Sequence, residues 1–187
     1  YAAGSVFINE PLGGYPVSLG AYQTTWGGGT GAGTLSGTDI GVTKYSADGT
    51  TRIYSTYLGG VADELPHSLI VNGNDELFIF GTTSSNNFPV TANAYDQTYN
   101  GGPDPTPFNG LGVHYEFGSD IIVSRISSDG TQLLASTYIG GTGNDGLNTV
   151  VPIDVYANYY NARTNIAIPE NSILPLNGIS TMGLHPA

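Results

Sequence analysis

The sequence contains no cysteine and few basic residues. Without cysteine, the chain has no disulfide framework and no thiolate metal site. Fifteen acidic residues outnumber four basic ones, which gives a formal net charge of -11. The basic residues Lys44, Arg52, Arg125 and Arg163 are scattered singly. Because phosphate groups are bound by clustered cations, nucleic acid and anionic membrane surfaces are poor partners for this chain.

Long apolar runs and methionine are also scarce. No stretch approaches the ~20 apolar residues that span a bilayer, so we expect no membrane insertion. The chain begins at Tyr1 and its single methionine is Met182, which predicts a processed protein or a piece of a longer one. The lack of cysteine fits secreted bacterial proteins and cytosolic proteins equally well.

The residues that are abundant favour strands and turns. The chain has 28 Gly and 13 Tyr, with 39% hydrophobic and 10% charged residues. Aromatic and β-branched side chains pack well on a pleated sheet, and the apolar content is high enough to form a core. The composition therefore predicts one all-β unit without long helices.

A long phrase occurs twice in the chain. Residues 37 to 60, "GTDIGVTKYSADGTTRIYSTYLGG", match residues 118 to 141, "GSDIIVSRISSDGTQLLASTYIGG", at 13 of 24 positions without a gap. A second pair, "YPVSLGAYQTT" at 15 to 25 and "FPVTANAYDQT" at 88 to 98, recurs in the same order. The sequence is therefore a tandem repeat.

Each copy predicts a β-hairpin. Apolar residues alternate before the dipeptides Asp48-Gly49 and Asp129-Gly130, a residue pair that accepts the positive φ of a tight turn. We expect hairpins at about 39 to 57 and 120 to 138. Further strands are predicted at 68 to 72 and 77 to 82, separated by a turn at 72 to 75.

Four short antiparallel strands per repeat are more typical of a β-propeller blade than of a sandwich. We expect antiparallel four-stranded blades of a β-propeller, incomplete in this chain because ~2.3 repeats fall short of a closed ring. Further blades, another subunit, or the divergent tail from Thr149 to Ala187 would cover the exposed edges. The predicted parts are the end of one blade with a linker (1–36), a blade (37–100), an inserted loop (101–117), the start of the next blade (118–147), and a divergent tail or cap (148–187).

The two phrases and the elements "LFIFGTT", "FPVT" and "AYDQT" resemble the SBBP repeat, over about residues 4 to 147. That family is expected to form β-propellers. It is common in secreted and cell-surface proteins of Bacteroidota, many of which leave the cell by the type IX route. The resemblance implies a secreted or surface-bound scaffold or adhesion module, and it carries no agreed catalytic residues.

The inserted loop is the predicted partner site. It is richer in proline and aromatic residues than its counterpart at 27 to 36. Long loops often carry binding residues, and exposed aromatic groups are typical of interfaces. We expect a protein partner, further blades of the same polypeptide, or a glycan to contact the loop through Phe108, His114, Tyr115 and Phe117. Capping of a blade edge is the alternative interpretation of the same residues.

Acidic residues follow each double glycine. Asp63-Glu64 and Asn144-Asp145 occupy the same place in the two copies, and the oxygens of Asp63, Glu64 and Asp145 could meet on one rim to bind Ca²⁺. Ordinary turn chemistry explains the same residues without a metal, and we expect no other cofactor. The three histidines are too far apart in the sequence to form a standard zinc motif.

Catalytic signatures are missing from the sequence. It has no nucleophile elbow, no P-loop and no H-E-x-x-H motif, and its one glycine-rich stretch fits a linker better than a cofactor loop. A glycosidase needs two carboxyl groups about 5 to 10 Å apart, a weak criterion for a chain with so many acids. We therefore expect a non-enzymatic module, with a carbohydrate-binding module or a polysaccharide-acting hydrolase as alternatives.

Overall fold

A computed structural model describes residues 1–6, 14–28, 37–103, 115 and 117–146. The described residues are all-β and contain no helix. They form seven strands: β1 (Ala2–Val6), β2 (Asp39–Tyr45), β3 (Arg52–Leu58), β4 (Glu64–Val71), β5 (Leu77–Thr83), β6 (Asp120–Ile126) and β7 (Leu133–Ile139). The predicted tail 148–187 lies outside the described residues.

The strands form two antiparallel sheets. The first sheet has the order β1-β2-β3 and the second has the order β4-β5-β6-β7, so every pair is consecutive in the chain. This grouping corrects our expectation that the four strands of 37–100 belong to one blade. The chain leaves the first sheet after Leu58 and begins the second at Glu64. Between them, Gly59 and Gly60 lie too close to neighbouring side chains for a Cβ to fit.

The two hairpins have the same geometry, as the repeat predicts. Ile40 pairs with Leu58 in the first hairpin, and Ile121 pairs with Ile139 in the second. The register shifts at the equivalent place in both, after Lys44 and after Arg125. The predicted positive φ is confirmed at both turn glycines, with 72° at Gly49 and 75° at Gly130.

The strands predicted at 68–72 and 77–82 are present, and β4 begins four residues earlier than expected. Between them, the Asn72 side chain accepts hydrogen bonds from the backbone N–H groups of Asn74 and Glu76. This side chain fixes a tight turn in which Asp75 has a φ of 60°.

Strand β1 was not predicted, although it is the counterpart of β5. Gly4 of β1 lies opposite Gly41 of β2, just as Gly81 of β5 lies opposite Ile122 of β6. The first sheet therefore corresponds to the last three strands of the second sheet. Its β1 edge is where the counterpart of β4 would pair.

The segments 14–28 and 84–103 cover the outer edges of β3 and β7. In the first, the backbone of Ser18 donates to Ser55 O and that of Tyr57 donates to Gln23 O. In the second, equivalent bonds join Thr91 to Ser136 and Tyr138 to Asp96. These bonds pair backbone groups that an edge strand would otherwise expose.

The core lies between the two sheets. Its fully buried aliphatic residues come from both, namely Ile40, Val42, Leu58, Leu77, Ile79, Ile122 and Ile126. Aromatic pairs extend it at each covering segment, with Tyr15 against Tyr57 and Phe88 against Tyr138. The apolar faces of the two sheets thus bury each other. No helix in the described ranges is long and apolar enough to span a membrane.

The two turn glycines provide a matched test of this packing. A side chain at Gly49 meets open space, whereas one at Gly130 would collide with the Tyr54 ring. We expect Gly49→Ala to lower the free energy of unfolding by about 1 kcal/mol, through its positive φ alone. Gly130→Ala should lower it by clearly more, as measured by urea unfolding.

Adding Tyr54→Leu gives the control for the collision. The double variant Gly130→Ala, Tyr54→Leu should lose less stability than the sum of its single changes, because the smaller side chain relieves the contact. Equal losses for Gly49→Ala and Gly130→Ala would contradict the packing described here.

Candidate functional site: the carboxyl pairs at the sheet junctions

The loop between the two sheets is fastened by residues that follow β5. Ser85 Oγ accepts a hydrogen bond from the backbone of Ala62 at 2.8 Å. Asn87 Oδ1 accepts one from the backbone of Val61 at 2.9 Å. Both bonds hold the loop against the second sheet, where Glu64 begins the first strand.

We call the place where this loop meets the second sheet the first junction, and the equivalent place after β7 the second junction. Glu64 is fully buried at the first junction. Its Oε1 accepts hydrogen bonds from Thr83 Oγ1 at 2.6 Å and Ser85 Oγ at 2.5 Å. Its Oε2 accepts one from the backbone N–H of Gly60 at 3.1 Å. A buried carboxyl needs such donors, because it is separated from water.

Asp39, at the start of β2, lies beside Glu64 and is also fully buried. Its Oδ2 accepts hydrogen bonds from the backbone of Gly27 at 2.9 Å and from Gln23 Nε2 at 3.1 Å. Its Oδ1 is buried without a hydrogen-bond partner among the residues that the structure describes.

The two carboxyl groups approach each other beside Gly59, which has no side chain to separate them. A methyl group at this position would lie 2.5 Å from Asp39 Oδ1 and 2.6 Å from Glu64 Oε2, so these oxygens are within about 5 Å of each other. Only a glycine fits there. The carboxyl pair therefore requires a glycine at position 59, the first glycine of "STYLGG".

The second repeat builds an equivalent pair. A methyl group at Gly140 would lie 2.6 Å from Asp120 Oδ1 and 3.1 Å from Asp145 Oδ2. Asp120 accepts from the backbone of Asn100 and Gly101, and Asp145 accepts from the backbone of Gly141. One carboxyl pair therefore belongs to each repeat.

Burial dominates the protonation of these groups. It raises the pKa of Glu64 to about 8, against the opposing effect of the hydroxyl and N–H donors, with a smaller contribution from the nearby Asp39 carboxylate. Burial also raises the pKa of Asp39 to about 6 and that of Asp120 above its ordinary value. The first pair can therefore hold a proton at neutral pH.

The residues predicted to bind calcium divide between the two junctions. Asp63 and Glu64 belong to the first, and Asp145 takes the position of Glu64 in the second. Asp63 Oδ1 accepts from Thr38 N at 2.6 Å and Thr38 Oγ1 at 2.9 Å. The described part of the chain contains no group of three or more His, Asp or Glu side chains arranged to hold a metal ion.

The residues predicted to contact a partner have different environments. Phe108 and His114 lie outside the described residues. Tyr115 was expected on an exposed loop, but its side chain is only 8% exposed, because its hydroxyl bonds to the buried Thr82 Oγ1 at 2.6 Å. Phe117 is exposed, as a contact residue must be.

Sequence reasoning missed a hydrogen-bond chain beneath this loop. Thr82 Oγ1 joins Tyr115 OH to His67 Nε2, the latter at 3.0 Å. Burial lowers the pKa of His67 to about 4, so the ring is neutral at pH 7. The three residues are far apart in the sequence, and only the pairing of β4 with β5 could have indicated that His67 and Thr82 meet.

Comparison with protein-family models, with curated proteins and with solved structures found no match for this chain. The functional conclusions below therefore depend on the repeat and on the geometry of the two junctions.

The raised pKa of Glu64 predicts that the free energy of unfolding falls as pH rises from about 4.5 to about 8. Its pKa is about 8 in the folded state, against 4.5 ordinarily, so its contribution to stability is complete below pH 4.5 and is lost as pH rises through 8. One proton gives a slope of at most about 1.4 kcal/mol per pH unit. Urea unfolding across this range should show the decline, and Glu64→Gln should reduce it.

Asp48→Asn is the matched control. Asp48 is exposed, and hydrogen bonds from Ser46 and Thr50 lower its pKa. Its contribution to stability is therefore lost only as pH falls, and the variant should keep the decline between pH 4.5 and 8. A decline of the same size in Glu64→Gln and in the wild type would rule out Glu64 as its source.

Proposed function

We propose that the chain is a non-enzymatic interaction module, built from β-propeller blades and acting as part of a larger secreted or cell-surface assembly of a bacterium. The observation that carries this proposal is the repetition of the sheet junction. Thr38 O accepts from Glu64 N at 2.8 Å, and Ser119 O accepts from Asp145 N at 2.7 Å. The chain thus leaves the second sheet as it left the first.

The strand order supports the blade interpretation. Blades are four-stranded antiparallel sheets in which consecutive strands pair, and β4-β5-β6-β7 has this order. The first sheet has the same register for its three strands. In repeat proteins each unit buries a face against its neighbour, which is how the two sheets pack here.

The position of the carboxyl pairs supports a non-enzymatic role. Asp39, Glu64 and Asp120 are all fully buried, and their oxygens accept hydrogen bonds from the loops that shape the junctions. A general acid must reach the atom that it protonates. A polysaccharide in solvent would not reach these groups, so we assign them a structural role.

A carbohydrate-binding function is the second candidate, and Phe117 is the observation that favours it. This side chain is 57% exposed and is the exposed aromatic residue of the inserted segment in the described part of the chain. Aromatic faces are common where binding sites contact an apolar surface of a ligand. The SBBP resemblance and the acidic charge agree with a secreted or surface location, and they favour protein or glycan partners over nucleic acid.

The two candidates and the hydrolase alternative are separated by a single set of assays. We expect the purified chain to release no reducing ends from a panel of bacterial and plant polysaccharides, and to bind no ligand on a glycan array. Binding without turnover would replace the proposal with the carbohydrate-binding alternative. Release of products would replace it with the hydrolase.

Phe117→Ser gives this test a residue-level readout. The substitution should leave the urea midpoint almost unchanged, because the side chain is exposed. In the carbohydrate-binding alternative, the variant would lose array binding by about tenfold or more, while Val61→Ser, another exposed apolar residue, would keep it.

A further inference from the structure

The first sheet receives the turn of the second hairpin through three contacts. Lys44 Nζ donates to Ser128 O at 2.8 Å, and the backbone of Tyr22 donates to Gly130 O at 2.9 Å. The Tyr54 ring packs directly on Gly130. As a result Gly130 is buried and Tyr54 is only 2% exposed.

These contacts belong to a larger face of the first sheet. Residues that alternate along a strand share one side of it, so Ile40 and Val42 face the second sheet together with Lys44. Both are fully buried, as are Ile122 and Ile126 on the side of the second sheet that faces them. We call this arrangement the internal interface.

The internal interface has one side from the first sheet and one from the second. The outer face of the second sheet, which points away from the first, carries counterparts of the residues that the first sheet contributes. The residues equivalent to Lys44, Tyr22, Tyr54 and Leu58 are Arg125, Tyr95, Ala135 and Ile139, which we call the socket. Tyr95 is 92% exposed, and Ile139 is 43% exposed where Leu58 is fully buried. Arg125 Nη1 pairs with Glu76 Oε2 at 3.8 Å, while its Nε has no hydrogen-bond partner within the described ranges.

The first sheet presents the other half of the interface. The residues equivalent to Ile126 and Gly130 are Tyr45 and Gly49, which we call the plug. Tyr45 is 47% exposed where Ile126 is fully buried. Gly49 is exposed, and nothing lies within 4 Å of the position that a side chain would occupy there.

We propose that the socket of one chain binds the plug of a second copy, so that copies associate head to tail through a repetition of the internal interface. This inference rests on the proposed function, because it treats the two sheets as successive units of one repeat. The contact is heterologous, which leaves a free socket and a free plug at the ends and leads to a ring or a filament.

Charge and strand count agree with a second copy as the occupant. Arg125 stands where Lys44 binds the second turn, and the plug turn carries the exposed Asp48 carboxylate beside Gly49. Among the described residues, no strand takes the place of β4 at the β1 edge of the first sheet.

Tyr115 limits the extent of the socket. Its hydroxyl bonds to Thr82, which lies next to Ile121 on the same side of the second sheet. The equivalent of Thr82 in the first sheet, Ser5, instead donates to the backbone of Glu64 at 2.8 Å. The surface offered to a second copy is therefore the part around Arg125, Tyr95 and Ile139.

Complementary defects test the proposal. Ile139→Glu places a charge in the socket and Tyr45→Glu places one in the plug. By sedimentation velocity the wild type should form concentration-dependent oligomers, while each variant alone should weaken association by about 100-fold or more and sediment as a 19.4 kDa monomer. An equimolar mixture of the two variants should form a 1:1 dimer, because one intact socket and one intact plug remain.

Val61→Glu, which charges an exposed apolar residue outside both surfaces, should assemble like the wild type. Urea midpoints of all variants establish that each one folds. A wild type that is monomeric at every concentration, or a mixture of variants that stays monomeric, would overturn the proposal. Either result would leave the proposed function intact if Gly130→Ala lowers the free energy of unfolding by more than Gly49→Ala. That difference reports the packing of Tyr54 on Gly130 within a single chain.

Discussion

The structure depends on the burial of the Glu64 carboxyl group, where the chain crosses from the first sheet to the second. Glu64 begins a strand of the second sheet, and its backbone N–H donates to Thr38 of the first. Its side chain is held by Thr83 and Ser85 from the far end of the neighbouring strand. Because an unpaired buried carboxyl is costly, these donors fix the crossing at one position and one angle.

That constraint explains why "STYLGG" at 55 to 60 returns as "STYIGG" at 136 to 141. Its Thr56 hydroxyl accepts from the backbone of the covering segment, at Gln23, and Tyr57 pairs with the same residue. Gly59 then leaves space for the two carboxyl groups, and Gly60 passes close to Ser85. Edge protection, the turn between sheets and the carboxyl pair are thus encoded in six consecutive residues.

Local signals in the sequence predicted the hairpins and their turns, because period-2 alternation and Asp-Gly determine them within a few residues. The division of strands between sheets was not predictable in this way, because β3 and β4 are adjacent in the chain but pair with different partners. Strand β1 was missed because Ala2 and Ala3 replace the stronger strand formers Ile79 and Phe80 of its counterpart.

The site was less predictable than the fold. The sequence placed Glu64 and Asp145 at equivalent positions. It could not show that hydroxyl groups of Thr83 and Ser85 bond to Glu64, because those donors come from a distant segment. Tyr115 was misjudged for a similar reason. An aromatic residue in a glycine- and proline-rich loop is expected to be exposed. Tyr115 is buried instead because its hydroxyl bonds to Thr82, which is 33 residues away.

The covering segments also determine how such units can associate. Edge-to-edge pairing is blocked at β3 and β7, since backbone bonds from 14–28 and 84–103 already occupy those edges. Among the described residues, Tyr95 and Ile139 are exposed on the outer face of the second sheet and Tyr45 on that of the first. These two faces differ, because one carries the counterparts of the residues that receive a turn and the other carries a turn. Association of unlike faces has a direction and is not limited to pairs. We therefore propose that further units would be added through the same packing that joins the two sheets within this chain.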